Sequence, residues 1–118
     1  LDLIQEMLAS KEMFIAIHYI KKEKWIAAIN RLKNVINYYP TTIYVEEALF
    51  RLVEVHYTLG LEIEAKKYAK TLGYNYQSSE WYKKSYNLFN KNYKNKKKKR
   101  KVLTKIKSIL DWYEKWKN

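Results

Sequence analysis

Cysteine is absent from these 118 residues, proline occurs once and glycine twice. Without thiols there is no disulfide framework and no thiolate metal site, and the redox compartment leaves no mark. So little proline and glycine, beside 47% hydrophobic residues, disfavours a turn-rich β-sandwich and suits helices. No run approaches the roughly 18 consecutive apolar residues of a membrane-spanning helix. Arginine is also scarce: Arg31, Arg51 and Arg100 stand in a chain that otherwise uses lysine. The length allows one domain at most, large enough for a core but short for a long repeat array.

Signatures of catalysis are missing as well. His18 and His56 are the only histidines. They do not fall on equivalent positions of the repeat described below, and each sits in an aromatic-rich helical stretch, which favours a structural role. Glu46 with Glu47, and Glu62 with Glu64, lie at helix starts, where they complement the positive end of the helix dipole. There is no glycine-rich phosphate loop and no zinc-ligand spacing. The expectation is a protein that is not an enzyme and carries no cofactor or metal.

What the chain does have is helical periodicity. The stretch from Phe14 to Pro40, FIAIHYIKKEKWIAAINRLKNVINYYP, reads as two amphipathic helices joined by a polar turn at residues 22–24. Phe14, Ile17, Tyr19 and Ile20 fall near one face of the first; Ile26, Ile29, Leu32, Val35 and Ile36 share one face of the second. Ala28 has almost no side chain, so the helices can approach closely there. Pro40 stops the second helix, having a fixed φ and no amide proton.

Shifting the sequence by 37 residues places Tyr39, Thr41, Thr42 and Tyr44 on Tyr76, Ser78, Ser79 and Trp81. The same shift puts Ala28 on Ala65 and Ala48 on Ser85. A small residue at the helix crossing and an aromatic-hydroxyl turn therefore recur together. The pattern resembles the tetratricopeptide repeat, whose period is roughly 34 residues, with the extra residues lengthening a turn. On that template Ala16, Tyr19, Ala28, Leu32 and Val35 take the repeat's small and large core positions. The expected fold is all-α: a tetratricopeptide-like α-solenoid fragment of helical hairpins, period about 37, plus a C-terminal capping helix.

Along the chain, one helix is expected from Leu1 to Lys22, with Leu1, Ile4, Leu8, Ile15 and Tyr19 as its apolar side. Thr41 or Thr42 would cap the third helix, which Gly60 ends. A shorter helix would run from Glu62 to Leu72 and end at Gly73. Ser78 or Ser79 would cap the next, from Trp81 to Phe89. The expected division is repeats over 1–90, a basic linker over 91–101 and an amphipathic helix over 102–118. Like charges would keep the linker extended. Val102, Ile106, Ile109, Tyr113 and Trp116 form the stripe of the last helix, flanked by Leu103 and Leu110, and would cover the open end of the repeats.

The net charge of +12 invites a nucleic-acid reading, but its distribution argues otherwise. Residues 94–101 hold seven cations in eight positions, and without them the balance falls to +5. Richness in Lys, Asn, Ile and Tyr together is also what a biased genome composition gives. The run reads first as a solvated linker. Second comes contact of Lys96, Lys97, Lys98, Lys99, Arg100 and Lys101 with an anionic lipid surface, and third nucleic acid, because Tyr93 alone supplies a nearby stacking ring. Tyr38, Tyr39, Tyr44, Tyr74, Tyr76 and Tyr82 cluster at the inter-repeat turns, to pack them or to form a recognition surface. Arg31, kept where lysine is the rule, suggests bidentate pairing with a carboxylate of this fold or of a partner.

The runs LASKEMFIAIHYIKKEKWIAAINRLKNVINYYPTT, EALFRLVEVHYTLGL, EAKKYAKTLGYNY and SSEWYKKSYNL resemble the C-terminal half of the BamD (ComL/YfiO) family of outer-membrane assembly lipoproteins. The likeness covers about Leu3 to Phe89. It includes the Lys11-Glu12-Met13 entry, the Ala27-Ala28-Ile29-Asn30-Arg31 helix start and the Gly73-Tyr74-Asn75-Tyr76 loop. Gln77 departs from the family's usual proline, and the lysine run with the final helix is an extension beyond the family core. The resemblance implies a non-catalytic scaffold subunit of the outer-membrane β-barrel assembly (BAM) complex. Such a subunit lies on the periplasmic face of the outer membrane, held by an N-terminal lipid that is not in this sequence. Its C-terminal repeats would dock a POTRA domain of BamA and smaller BAM lipoproteins, without nucleic acid. Absent N-terminal repeats would receive unfolded outer-membrane proteins. The start at Leu1 rather than Met fits a sequence that begins inside a longer protein. Arg31 matches a family arginine of the docking region, with Asn30, Lys33 and Tyr38 beside it. A generic tetratricopeptide adaptor is the alternative, ahead of a basic nucleic-acid or lipid-surface binder.

Overall fold

A computed structural model describes the backbone of residues 2–117, and their side chains except those of residues 91–101, 103 and 117. Among the described residues five helices follow one another: α1 (Leu3–Lys21), α2 (Trp25–Tyr38), α3 (Tyr44–Thr58), α4 (Glu62–Asn75) and α5 (Glu80–Lys117). The chain divides into two compact units, Leu1–Tyr86 and Asn87–Asn118.

In the first unit α1 packs on α2, α3 packs on both, and α4 packs on α3. The 37-residue period shows in the bounds of α2 and α4 and in the turns around them. α2 and α4 begin and end in register, at Trp25 and Glu62, and at Tyr38 and Asn75. Lys24 and Leu61, which precede them, have φ/ψ of −92°/76° and −88°/66°. The caps that follow them, Tyr39 and Tyr76, have −131°/51° and −139°/45°. In the hairpin turns the Lys24 amide donates to the Tyr19 carbonyl at 2.9 Å, as the Leu61 amide does to His56 at 2.9 Å. These are tetratricopeptide-like hairpins, repeated along an α-solenoid fragment.

Small residues occupy the crossings because only they let two backbones approach. Ala9, Ala16, Ala28, Ala48, Ala65 and Ser85 have no solvent exposure. Around them Met13, Leu32, Val35, Leu49, Phe50, Leu52, Val55 and Leu72 fill the core. At about 25 cal/mol per Å² of apolar surface, each such side chain contributes on the order of 2 kcal/mol before its entropy cost. The buried side of α1 differs in part from the expected one. It runs through Ala9 and Met13 to Ala16, the small core position read from the repeat, whereas Leu3, Ile4, Met7, Leu8 and Phe14 are exposed.

Helix ends also depart from expectation in places. Asp2 caps α1, its carboxylate accepting from the amides of Ile4 at 3.0 Å and Gln5 at 3.3 Å. Neither Thr41 nor Thr42 caps α3: the Thr42 hydroxyl donates to the Tyr39 carbonyl at 2.8 Å, closing the end of α2. The amide of Ile43, at the start of α3, instead donates to the Glu6 carboxylate from α1 at 3.2 Å. Ser79 does cap α5, accepting from the Trp81 amide at 3.1 Å. Gly60, at φ 80°, ends the α3 hairpin as expected. Gly73 ends nothing; α4 continues two residues past it, and the Tyr82 ring lies where a side chain at Gly73 would go.

The expected break over residues 91–101 is not there, because α5 is one helix of 38 residues from Glu80 to Lys117. No glycine or proline occurs after Gly73 to interrupt it. Lysine and arginine are good helix formers, and like charges four residues apart cost only a few tenths of a kcal/mol, so charge alone does not unwind the backbone. Within the second unit Val102, Ile106, Ile109, Tyr113 and Trp116 are between 48% and 74% accessible.

Candidate partner-docking face

Two sides of α2 have different jobs. Ala28, Ile29, Leu32 and Val35 are buried against α1 and α3, which fixes the opposite side outward. With about 100° per residue, Asn30, Arg31, Asn34 and Tyr38 fall within one arc of that outer side, with Lys33 and Ile26 beside them. Asn30 and Lys33 are exposed, and Tyr38 is 69% exposed. Of the four residues expected for partner binding, Asn30, Arg31 and Tyr38 thus share one arc of α2, whereas Lys33 lies about 160° round the helix from Arg31.

Arg31 is already engaged. Its Nη1 donates to both oxygens of Glu12 on α1, at 3.2 and 3.3 Å. Asn34 Nδ2 donates to Glu12 Oε2 at 3.5 Å. One carboxylate therefore ties α2 to α1 and holds the guanidinium in a set orientation. The side chain of Arg31 remains 38% exposed against 18% for Glu12, so solvent screens the pair and part of the cation faces outward. Lysine, a single ammonium point charge, would not hold this planar arrangement.

A second arginine forms a cluster on α3. Arg51 pairs with Glu47 at 3.5 Å and Glu54 at 3.4 Å, one turn away on either side. Its guanidinium carbon lies 5.7 Å from the Phe50 ring and 5.8 Å from the Trp81 ring. The Lys84 ammonium sits 4.3 Å from Trp81. This group went unread in the sequence, although Glu47, Arg51 and Glu54 stand four and three residues apart.

The turn tyrosines split by position. Tyr39, Tyr44, Tyr76 and Tyr82 pack against the core, whereas Tyr38 and Tyr74 project, Tyr74 being 87% exposed. His56 is buried, its Nδ1 lying 2.7 Å from the Leu52 carbonyl and its ring 5.1 Å from that of Tyr68. Burial, and secondarily the Glu64 carboxylate, pushes the Tyr68 hydroxyl above its ordinary range. An open groove of about 520 Å³ runs between α1 and α3, lined by Leu3, Met7, Phe14 and Tyr44 with polar Glu6, Ser10 and Lys11. Among the described residues no cluster of His, Asp or Glu has the makings of a metal site, and no helix is long and apolar enough to cross a membrane. The side chains of Lys96, Lys97, Lys98, Lys99, Arg100 and Lys101 lie outside the described residues.

A family model described as "YfiO: Outer membrane lipoprotein" matches residues 1–72. The chain is 53% identical over 95 residues to the outer membrane protein assembly factor BamD of Rickettsia prowazekii, covering 80% of this chain and 38% of that protein. It is 46% identical over 92 residues to BamD of Caulobacter vibrioides, covering 78% and 30%. With BamD of Haemophilus influenzae the identity is 33% over 72 residues, covering 61% and 28%. The chain therefore spans about a third of the length of these relatives. No solved structure matches it. A hairpin repeat shared through α4, and a family match reaching Leu72 near the end of that helix, agree on one conclusion: the chain belongs to the YfiO family of outer membrane lipoproteins.

Proposed function

We propose that this chain is the C-terminal repeat region of a non-catalytic scaffold subunit in the outer-membrane β-barrel assembly complex. Its outer α2 face docks a periplasmic POTRA domain of BamA and, around it, the smaller BAM lipoproteins. The full-length protein sits on the periplasmic side of the outer membrane through an N-terminal lipid, and repeats preceding this region receive unfolded outer-membrane proteins. The observation that carries the reading is Arg31, half-exposed on α2, braced by Glu12 and flanked by exposed Asn30 and Tyr38. Docking here is recognition without chemistry. Preformed helices lose little conformational entropy on association, so modest contacts yield useful affinity. A partner carboxylate meeting Arg31 would find its guanidinium already oriented.

Arg31→Ala is expected to weaken binding to a purified POTRA fragment by tenfold or more, on the order of 2 kcal/mol, with the helical circular dichroism intact. Glu12→Gln separates bracing from contact: it loosens the internal pair yet leaves the cation available, so it should weaken binding less. Equal affinity of the wild type and Arg31→Ala for that fragment ends this reading. A generic peptide adaptor is the second reading. The groove between α1 and α3, apolar at Leu3, Met7, Phe14 and Tyr44, supports it, and it predicts affinity for short apolar peptides that Phe14→Asp removes.

A further inference from the structure

The distal part of α5 lies beyond the residues the family model matches. On a helix, Val102, Ile106, Ile109, Tyr113 and Trp116 fall within an arc of about 80°, and Leu110 and Trp112 border it on either side. All seven are exposed. Asp111, Glu114, Lys107 and Lys115 lie on the opposite side. Residues 94–117 hold eleven cations against two carboxylates, seven of the cations in the turns just before the apolar stripe.

We propose that this part of α5 is an interfacial anchor that lies along an anionic phospholipid surface. Its apolar stripe enters the headgroup boundary, and the lysine run neutralises lipid phosphates. Three observations choose this occupant. The face is broad, and its aromatic residues gather at one end, as at membrane–water interfaces, where Trp and Tyr rings are half in and half out of water. A cluster of cations adjoining an amphipathic helix complements an anionic surface. Among the described residues no helix is long and apolar enough to span, so this helix would lie on a bilayer rather than cross it.

The same stripe has the 4-3-4-3 spacing of a coiled-coil seam, which would suit a second copy of the chain. Two features stand against that. The seam lasts only about two heptads, short of the three or four that a coiled coil sustains. A second copy would also bring another +12 chain, with its own lysine run, alongside the first. Acidic lipid has the opposite charge and needs no matching register.

The test is co-sedimentation of the full 118-residue chain with vesicles of phosphatidylcholine alone and of phosphatidylcholine with phosphatidylglycerol, at low and high salt. Expected is binding to the anionic vesicles that fades with salt, and little binding to phosphatidylcholine alone. Changing Lys96, Lys97, Lys98 and Lys99 together to Gln should lower partitioning by several hundredfold, at about fivefold per cation near the surface. Ile109→Asp with Trp116→Ser changes only exposed positions, so the repeats stay folded, and it should also abolish retention. Three outcomes overturn the proposal: no binding to anionic vesicles, binding that survives Ile109→Asp with Trp116→Ser, or self-association in sedimentation velocity without vesicle binding. The last would assign the stripe to a second copy.

Discussion

Glu23 and Gly60 occupy the same place in successive hairpin turns, 37 residues apart, and both have left-handed backbones, at φ 58° and 80°. The Glu23 amide donates to the Ile20 carbonyl at 3.0 Å and the Gly60 amide to Tyr57 at 3.0 Å, so the turns are closed identically. Only glycine adopts this conformation without a Cβ penalty. Glu23→Gly is therefore expected to stabilise the chain by about 1 kcal/mol, and Gly60→Ala to destabilise it by a similar amount. Urea denaturation followed by circular dichroism measures both. A loss of stability in Glu23→Gly would mean that its side chain contributes more than the strained backbone costs.

Ser85 and Ala48 form the next equivalent pair. Both are fully buried, and the Ser85 hydroxyl has no hydrogen-bond partner among the described residues. A buried hydroxyl without a partner costs about 1–3 kcal/mol relative to a methyl group of similar volume. Ser85→Ala should raise the denaturation midpoint, and Ala48→Ser should lower it. The two substitutions move one oxygen between equivalent crossings, so their opposite signs test the packing equivalence directly.

Period and crossing residues were legible because Ala28, Ala65, Ala48 and Ser85 are confined to positions where only a small side chain fits. The inward side of α1 was legible only at Ala16, which the repeat template placed in the core. Apolar residues surround that helix, so large ones such as Phe14 and Leu8 suggested a core that Ala9 and Met13 in fact supply beside Ala16. Nor did charge reveal the continuity of α5, because the lysine run looks like a linker while lacking any residue that breaks a helix. At the candidate site Arg31 stood out as a rare arginine, but its grouping with Asn30, Lys33 and Tyr38 rested on the family resemblance rather than on spacing. Glu12 could not be assigned to Arg31, because its contact spans 19 residues and depends on how α1 and α2 cross.

Gly73 lies inside α4, where alanine would ordinarily gain up to about 1 kcal/mol of helix propensity. A Cβ there would stand 2.7 Å from Tyr82 Cε1 and 3.1 Å from its Cζ. The Tyr82 ring packs against the core, so it cannot swing away freely. Overpacking of this kind costs about 1–3 kcal/mol, and the expected net effect of Gly73→Ala is a loss of about 1 kcal/mol. In a Tyr82→Leu background the same change should become neutral or stabilising. A double-mutant cycle by chemical denaturation reads that coupling.

Tyr68 gives the pH dependence. Its hydroxyl titrates above the ordinary value of 10.0, first because it is buried and second because the Glu64 carboxylate disfavours a phenolate nearby. The unfolded chain, with no such penalty, loses this proton at lower pH than the folded one. Above that point the unfolded state binds fewer protons, so stability falls as pH rises. The contribution is complete below pH 10 and disappears as pH climbs through the raised folded value. Tyr68→Phe cannot ionise, so its denaturation midpoint should fall less steeply than the wild type's on the alkaline side, and the two should run parallel at neutral pH. Glu64→Gln removes the second cause and should lie between them. Identical alkaline slopes for the wild type and Tyr68→Phe would show that the hydroxyl escapes to solvent before it ionises.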